Sequence, residues 1–208
     1  MQEGVVSDPK TLQRWLKNFV SQSLVPIEGP GVHWAWQWKM AEAGGGANQD
    51  MQEKWIDLDR RLTLTRLSRE SREGGIKVAK RYLQMVMALY PESGLERYRE
   101  SIQKGHCFGH TAVIHGFVCA FLQQPVETAV LTHLYTSVNG LIQAALRGMS
   151  MGQTDAQKVL GSLLPLLSVK AKEITEHPPL PHQIYGCTLH QEVAAMRHEI
   201  LYSRLFMS

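Results

Sequence analysis

Pro125-Val-Glu-Thr-Ala-Val-Leu-Thr-His-Leu-Tyr-Thr-Ser-Val-Asn-Gly-Leu-Ile-Gln-Ala-Ala-Leu-Arg-Gly148 is the longest apolar helical pattern in the chain, and its reading decides the fold. Val126, Val130, Leu134, Val138, Leu141, Ile142 and Ala145 recur at three- and four-residue steps, so on a helix they share one side. Pro125 suits a helix start, where the missing N–H is no loss, and Gly148 through Gly152 stop the pattern. The stretch predicts a central helix against which other helices pack.

Toward the carboxyl end, Thr154-Asp155-Ala156-Gln157 has capping-box form, in which a threonine hydroxyl and a glutamine side chain satisfy free backbone donors. It opens a helix carrying Val159, Leu160, Leu163, Leu164 and Leu167, which Pro165 should kink. His177-Pro-Pro-Leu-Pro-His182 reads as an extended connector, and Cys187-Thr-Leu-His-Gln191 leads into a terminal helix. There Val193, Met196 and Ile200 keep helical spacing and leave Arg197, His198 and Glu199 as a compact polar group. Chain ends usually fray unless something ties them down. Tyr202, Leu205 and Phe206 beside Arg204 therefore imply a dock, either on the protein's own body or on a partner.

Toward the amino end, His106 and His110 stand four apart on a predicted helix that runs to Leu122, with Cys107 and His115 close by. That is metal-ligand spacing, but a catalytic metal needs at least three convergent ligands, and no Glu or Asp lies between Ser101 and Gln124. Gly109, Ala112, Gly116 and Ala120 form a small-residue stripe instead, which lets another helix approach. Packing is the favoured reading, and a weak metal contact the other.

The charged run Ser68 to Glu73 is expected to continue a helix from Asp50 that carries Trp55, Leu58 and Leu62, and to close at Gly74-Gly75. Its ionic side chains at three- and four-residue spacing read as a solvated face worth ~0.3 kcal/mol per pair. Ile76, Ala79, Leu83, Val86 and Tyr90 mark the next helix, which Pro91 ends. Ser7-Asp8-Pro9 starts a first helix with Leu12, Trp15, Leu16, Phe19 and Val20 on one face, expected to close at Pro26 and Gly29-Pro30-Gly31. Trp34, Trp36 and Trp38 then fall in a short helix before the Gly44-Gly45-Gly46 break; packing explains three rings as well as a partner surface does.

The expected architecture is an all-α, single-domain helical bundle of about six to eight helices over residues 1–208, with no convincing strand. With 208 residues and 44% hydrophobic content the chain can bury one sizeable core. Net charge is +3, from 22 basic and 19 acidic residues spread along the chain, which gives no footprint for nucleic acid. Apolar runs are too short for a bilayer, and no secretory pattern opens the chain, so a cytoplasmic protein with no membrane contact is expected. Cys107, Cys119 and Cys187 are odd in number and form no close pair, so reduced thiols are expected. Phosphate loops, dinucleotide fingerprints, nucleophile elbows and zincin motifs are absent, which shifts weight from an enzyme to an interaction protein.

Three blocks carry a resemblance. Met196-Arg-His-Glu with Tyr202-Ser-Arg-Leu-Phe and terminal Ser208 resembles the C-terminal signature of the urease accessory protein F (UreF) family. Gly152-Gln-Thr-Asp-Ala-Gln157, after Ser137-Val-Asn-Gly-Leu-Ile-Gln-Ala-Ala-Leu-Arg147, resembles that family's Gly-Gln-Thr segment, and Ser68-Arg-Glu-Ser-Arg-Glu73 resembles a third block. An upstream segment of the type Leu-Pro-x-Gly-x-Phe-Ser-x-Ser-x-Gly-Leu-Glu, which family members carry, is not in this sequence, so the chain is expected to be shortened at its amino end.

The resemblance implies a homodimeric, non-enzymatic scaffold that binds the accessory protein UreD (UreH in some systems) and the GTPase UreG. Nickel would be delivered to apo-urease in step with GTP hydrolysis. It further implies that Arg197, His198, Glu199, Tyr202, Ser203, Arg204, Leu205 and Phe206 bind UreD, with 201–208 as a docking tail. Met207 departs from the basic residue common in the family. Gln153 and Thr154, with Arg69, Glu70 and Arg72, would be structural; in the charged run the resemblance implies a network fixing helix to helix. No resident metal or cofactor is expected. Rival classes are an all-α metal-dependent hydrolase using His106, His110 and His115, and a general helical adaptor.

Overall fold

A computed structural model describes residues 6–43, 49–186 and 189–198. Among these the fold is all-α, with no strand: α1 Pro9–Phe19, α2 Val25–Ala43, α3 Gln49–Leu64, α4 Arg69–Leu89, α5 Glu96–Gln103, α6 Thr111–Phe121, α7 Val126–Gly148, α8 Gln153–Glu176 and α9 Leu189–His198. Five residues in π conformation, Val20–Leu24, join α1 to α2 without a break, so the two make one rod. None of these helices is long and apolar enough to cross a membrane.

The amino-terminal signal holds. Asp8 Oδ1 accepts from Thr11 N–H at 2.9 Å while Thr11 Oγ1 accepts from Asp8 N–H at 3.0 Å, a reciprocal cap ahead of Pro9. The expected closure at Pro26 and Gly29-Pro30-Gly31 does not hold, because α2 runs through all of it. Widening the preceding turn to i→i−5, with Val25 N–H bonded to the Val20 carbonyl, eases the chain around Pro26, whose ring would crowd the Gln22 carbonyl in a regular helix. Tertiary packing does the rest. A Cβ on Gly31 would sit 2.7 Å from Leu62 Cδ1, so this glycine serves close approach of α3, not a turn.

The hub is α2 rather than α7: it packs on α6, α7, α3 and α8. Closest is the crossing with α6, where a Cβ on Gly116 would lie 2.6 Å from the Val32 carbonyl oxygen and 2.8 Å from Ala35 Cβ. Gly116 and Ala112 of the small-residue stripe thus act in packing, as its spacing predicts, whereas Gly109, at φ 93°, lies outside α6. The long apolar helix is as expected: α7 buries Val130, Leu134, Val138, Ile142 and Ala145 and packs on α8 and α2. Trp34 and Trp36 sit in α2, half-buried, and their ring N–H groups donate to the carbonyls of Pro179 at 2.7 Å and Gln124 at 2.8 Å. They fasten connectors to the hub.

Two further boundaries differ from expectation. Gly74-Gly75 does not close a helix; α4 is continuous from Arg69 to Leu89, Gly74 is buried, and the Arg66 side chain lies over Gly75 where a Cβ would be. At Gly152 there is no threonine capping box, since α8 begins at Gln153 with Gly152 as N-cap and no side chain bonded to it. Thr154 falls inside the first turn. The helix continues through Pro165.

Candidate functional site

The first turn of α4 is where separate parts of the chain meet. Ser68, fully buried, caps the helix by accepting from Ser71 N–H, while its own backbone N–H donates to Glu192 Oε2 of α9 at 2.8 Å. Glu70 Oε2 lies 2.9 Å from His198 Nδ1 at the far end of α9. These two bonds, about a turn and a half apart along α9, lay that helix across the start of α4. Arg197 is exposed beside them.

Behind this junction the polar path turns inward. Arg72 Nη1 donates to the Arg66 carbonyl at 3.0 Å, and Arg66 Nη2 donates to Glu28 Oε1 at 2.8 Å. The other carboxylate oxygen of Glu28 lies 2.6 Å from His133 Nε2 in α7. Burial by itself would raise the Glu28 carboxyl, but the His133 hydrogen bond and the Arg66 and His133 charges outweigh it and hold the group well below the usual carboxylate range. The pair therefore ties α2 to α7, and Arg66 ties both to the α3–α4 connection.

The expected helix over His106 to Leu122 is shorter than its histidines suggested. His106 is exposed in a turn, and His110 is the N-cap of α6, its Nδ1 accepting from Ala112 N–H at 3.2 Å. Burial, only partly offset by the Glu28 charge, brings the His110 ring down to about 3, so it is neutral at pH 7. His115 sits on another side, with Tyr82 Oη at 3.0 Å from Nδ1, and Thr132 Oγ1 at 3.0 Å and Cys119 Sγ at 3.4 Å from Nε2. Burial first, then the His133 charge, lowers it to about 4. Among the described residues no three His, Cys, Asp or Glu side chains gather where they could hold a metal ion. The hydrolase reading loses its ligand set on that geometry.

A second buried carboxylate, Asp59, is also occupied. It accepts from the Tyr98 hydroxyl and from the backbone N–H of Phe108 at 2.8 Å, which shapes the loop leading to His110. Burial raises its pKa against these bonds. Cys107 and Cys119 are both buried free thiols, raised by burial to about 12 and about 11. Both thiols are therefore protonated at pH 7.

Sequence reasoning singled out Arg69, Glu70, Arg72, Arg197 and His198, and the structure brings them to one place. Glu199, Tyr202, Ser203, Arg204, Leu205 and Phe206 lie outside the described residues, as does Cys187. Gln153 and Thr154 are exposed on α8, whose neighbouring Asp155, Lys158 and Val159 line a cleft of about 570 Å³ with Asp8, Pro9, Lys10 and Gln13. Glu28, Asp59 and His133 were missed. Only its standing as the one Asp, Glu, Lys or Arg between Val20 and Trp38 marked Glu28 in sequence.

The chain is similar to known proteins. The family model UreF matches residues 6–164. Similar to this chain is the urease accessory protein UreF of Lachnoclostridium phytofermentans, 32% identical over 209 residues that cover 100% of this chain and 87% of the relative. UreF of a Bacillus species is 30% identical over 209 residues, with the same two coverages of 100% and 87%. For UreF of Kocuria rhizophila the figures are 29% over 206 residues, 98% of this chain and 83% of the relative. The junction's α9 lies beyond the family-model match but inside these alignments.

Proposed function

We propose that this chain, which belongs to the UreF family of urease accessory proteins, serves urease maturation in the cytoplasm as a scaffold with no reaction of its own. In this reading a homodimer holds UreD (UreH) and the GTPase UreG on apo-urease, GTP hydrolysis is coupled to nickel insertion, and nickel is cargo rather than a resident cofactor. The carboxyl-terminal motif engages UreD.

One observation carries this reading. The α9–α4 junction, through Glu192 with Ser68 and His198 with Glu70, sets the start of the terminal motif against the charged run. The chain thus enters residues 199–208, with their large apolar side chains, from a fixed point on the domain. A tail presented this way suits capture of a partner, because anchoring its base lowers the ordering entropy that binding must offset. Occupation of Glu28 and Asp59 by structural partners supports a role without catalysis.

Affinity purification of the full chain from its native host tests the reading: UreD and UreG are expected to co-purify, and recovery of the chain with neither would overturn it. Light scattering tests the dimer separately. A monomer throughout the micromolar range would remove that part of the proposal and leave the scaffold role standing.

A further inference from the structure

Helix α4 turns a row of large apolar side chains toward solvent that the fold does not use. Val78, Met85 and Leu89 are 60%, 53% and 64% exposed, whereas Ala79, Leu83 and Val86 on the adjacent face of the helix are buried in the core. With Tyr82 the row has spacing 4, 3, 4, the seam that a second helix packs against. Tyr82 is already fixed, since its hydroxyl lies 3.0 Å from His115 Nδ1. The seam therefore contains one rigid aromatic position and three flexible apolar ones.

Charge on this part of α4 has one sign. From Ile76 to Tyr90 there are Lys77, Lys80 and Arg81 and no Asp or Glu. On a helix Arg81 and Lys77 fall along one flank of the row, whereas Lys80 lies nearly opposite it. We propose that this face is a docking surface for an acidic amphipathic helix belonging to a different protein.

A second copy of the chain fits poorly: an antiparallel two-fold contact would set the basic flank against itself, and in a parallel one this part of α4 offers the basic flank no Asp or Glu. Nor do other described helices of this chain offer a complement: Glu53 and Asp57 of α3 are interleaved with Lys54, Arg60 and Arg61, and Glu173 and Glu176 of α8 with Lys170 and Lys172. An acidic partner gains the apolar contact and a favourable field on approach, which sets partner choice and association rate together. The inference uses the middle of α4 and does not rest on the tail's engaging UreD.

The test uses the full chain and two labelled synthetic helical peptides, one with a leucine stripe flanked by glutamates and its counterpart with every glutamate replaced by lysine. The glutamate peptide is expected to bind at least ~10-fold more tightly, with the advantage shrinking as salt is raised. Arg81→Glu is expected to erase the preference, and Met85→Asp to abolish binding of either peptide. Both positions are exposed, so helix content by circular dichroism should not change; should Arg81→Glu lose helicity, Arg81→Gln serves, and is expected to shrink the preference. Equal binding of the two peptides, or none, overturns the proposal. So does conversion of a dimer to monomers by Met85→Asp, which would make the face a contact between copies. Binding that appears only after residues 199–208 are deleted would give the face to the chain's own tail and likewise overturn it.

Discussion

Glu28 in α2 and His133 in α7 stand 105 residues apart in sequence and 2.6 Å apart in space, and Arg66 completes the carboxylate's neutralisation from the opposite oxygen. A buried ion pair adds little over a well-packed apolar substitute, but removing one member leaves the other charge uncompensated.

Glu28→Ala should therefore cost about 3 kcal/mol, since it strands Arg66 and His133 together. His133→Ala should cost less, because Glu28 keeps its Arg66 partner. Urea unfolding of the two variants checks the order; equal losses would mean that Arg66 does not compensate Glu28.

Acid should weaken the fold through two histidines. His115 and His110 have folded pKa values lowered to about 4 and about 3, so below the ordinary value near 6.5 the unfolded chain takes up protons that the folded chain refuses. Stability contributed by these neutral rings is full above pH 6.5 and falls as pH drops toward 4. At pH 5 each ring accounts for roughly 1–2 kcal/mol. Glu28, depressed, adds its own loss only below its ordinary range. Urea midpoints at pH 7 and pH 5 measure the slope, and His115→Gln should flatten it.

Gly116→Val should be among the most damaging single changes, because even a Cβ meets the Val32 carbonyl at 2.6 Å and the α2–α6 crossing has no slack. Separation of these helices would cost ~3 kcal/mol or more. A melting temperature within a degree or two of the parent would contradict that crossing distance.

Deletion of Tyr202 to Ser208 should leave the melting temperature nearly unchanged and abolish binding to UreD. Burying Leu205 and Phe206 in a partner contributes ~1.5–3 kcal/mol each, enough to dominate a small interface. Full affinity after truncation would show that the terminal motif is not the docking element. A large fall in thermal stability would place those side chains on the domain itself.

How far the fold was legible depended on whether a segment's signal was local. The apolar period of α7 and the cap at Asp8 act within a few residues, and both appear as read. Helix α2 was misread because Pro26 and Gly29-Pro30-Gly31 weigh toward a break locally, whereas the neighbours that favour helix there, Leu62 and Ile174, come from distant sequence. Gly74-Gly75 misled for the same reason, its partner Arg66 being a side chain rather than a turn. For the site, His198 and Glu70 could each be singled out, but their meeting across 128 residues follows only from the docking of α9. Glu28 lies between Pro26 and Gly29-Pro30-Gly31, whose local weight toward a break carries no sign that the residue is buried.

The π-turn at Val20–Leu24 absorbs a residue without turning the helix behind it, since five residues of π-helix sweep about the same 400° as four of α-helix. Removing one of the five would keep that phase but set the Pro26 ring against the carbonyl four residues back in a regular turn. One residue more or less anywhere else in the rod would instead rotate α2 by about 100° and, with α1 held on α8, swing Glu28 away from His133 and Gly31 away from Leu62 in one step. The segment works as a relief joint, easing a proline while the register of the long rod is conserved.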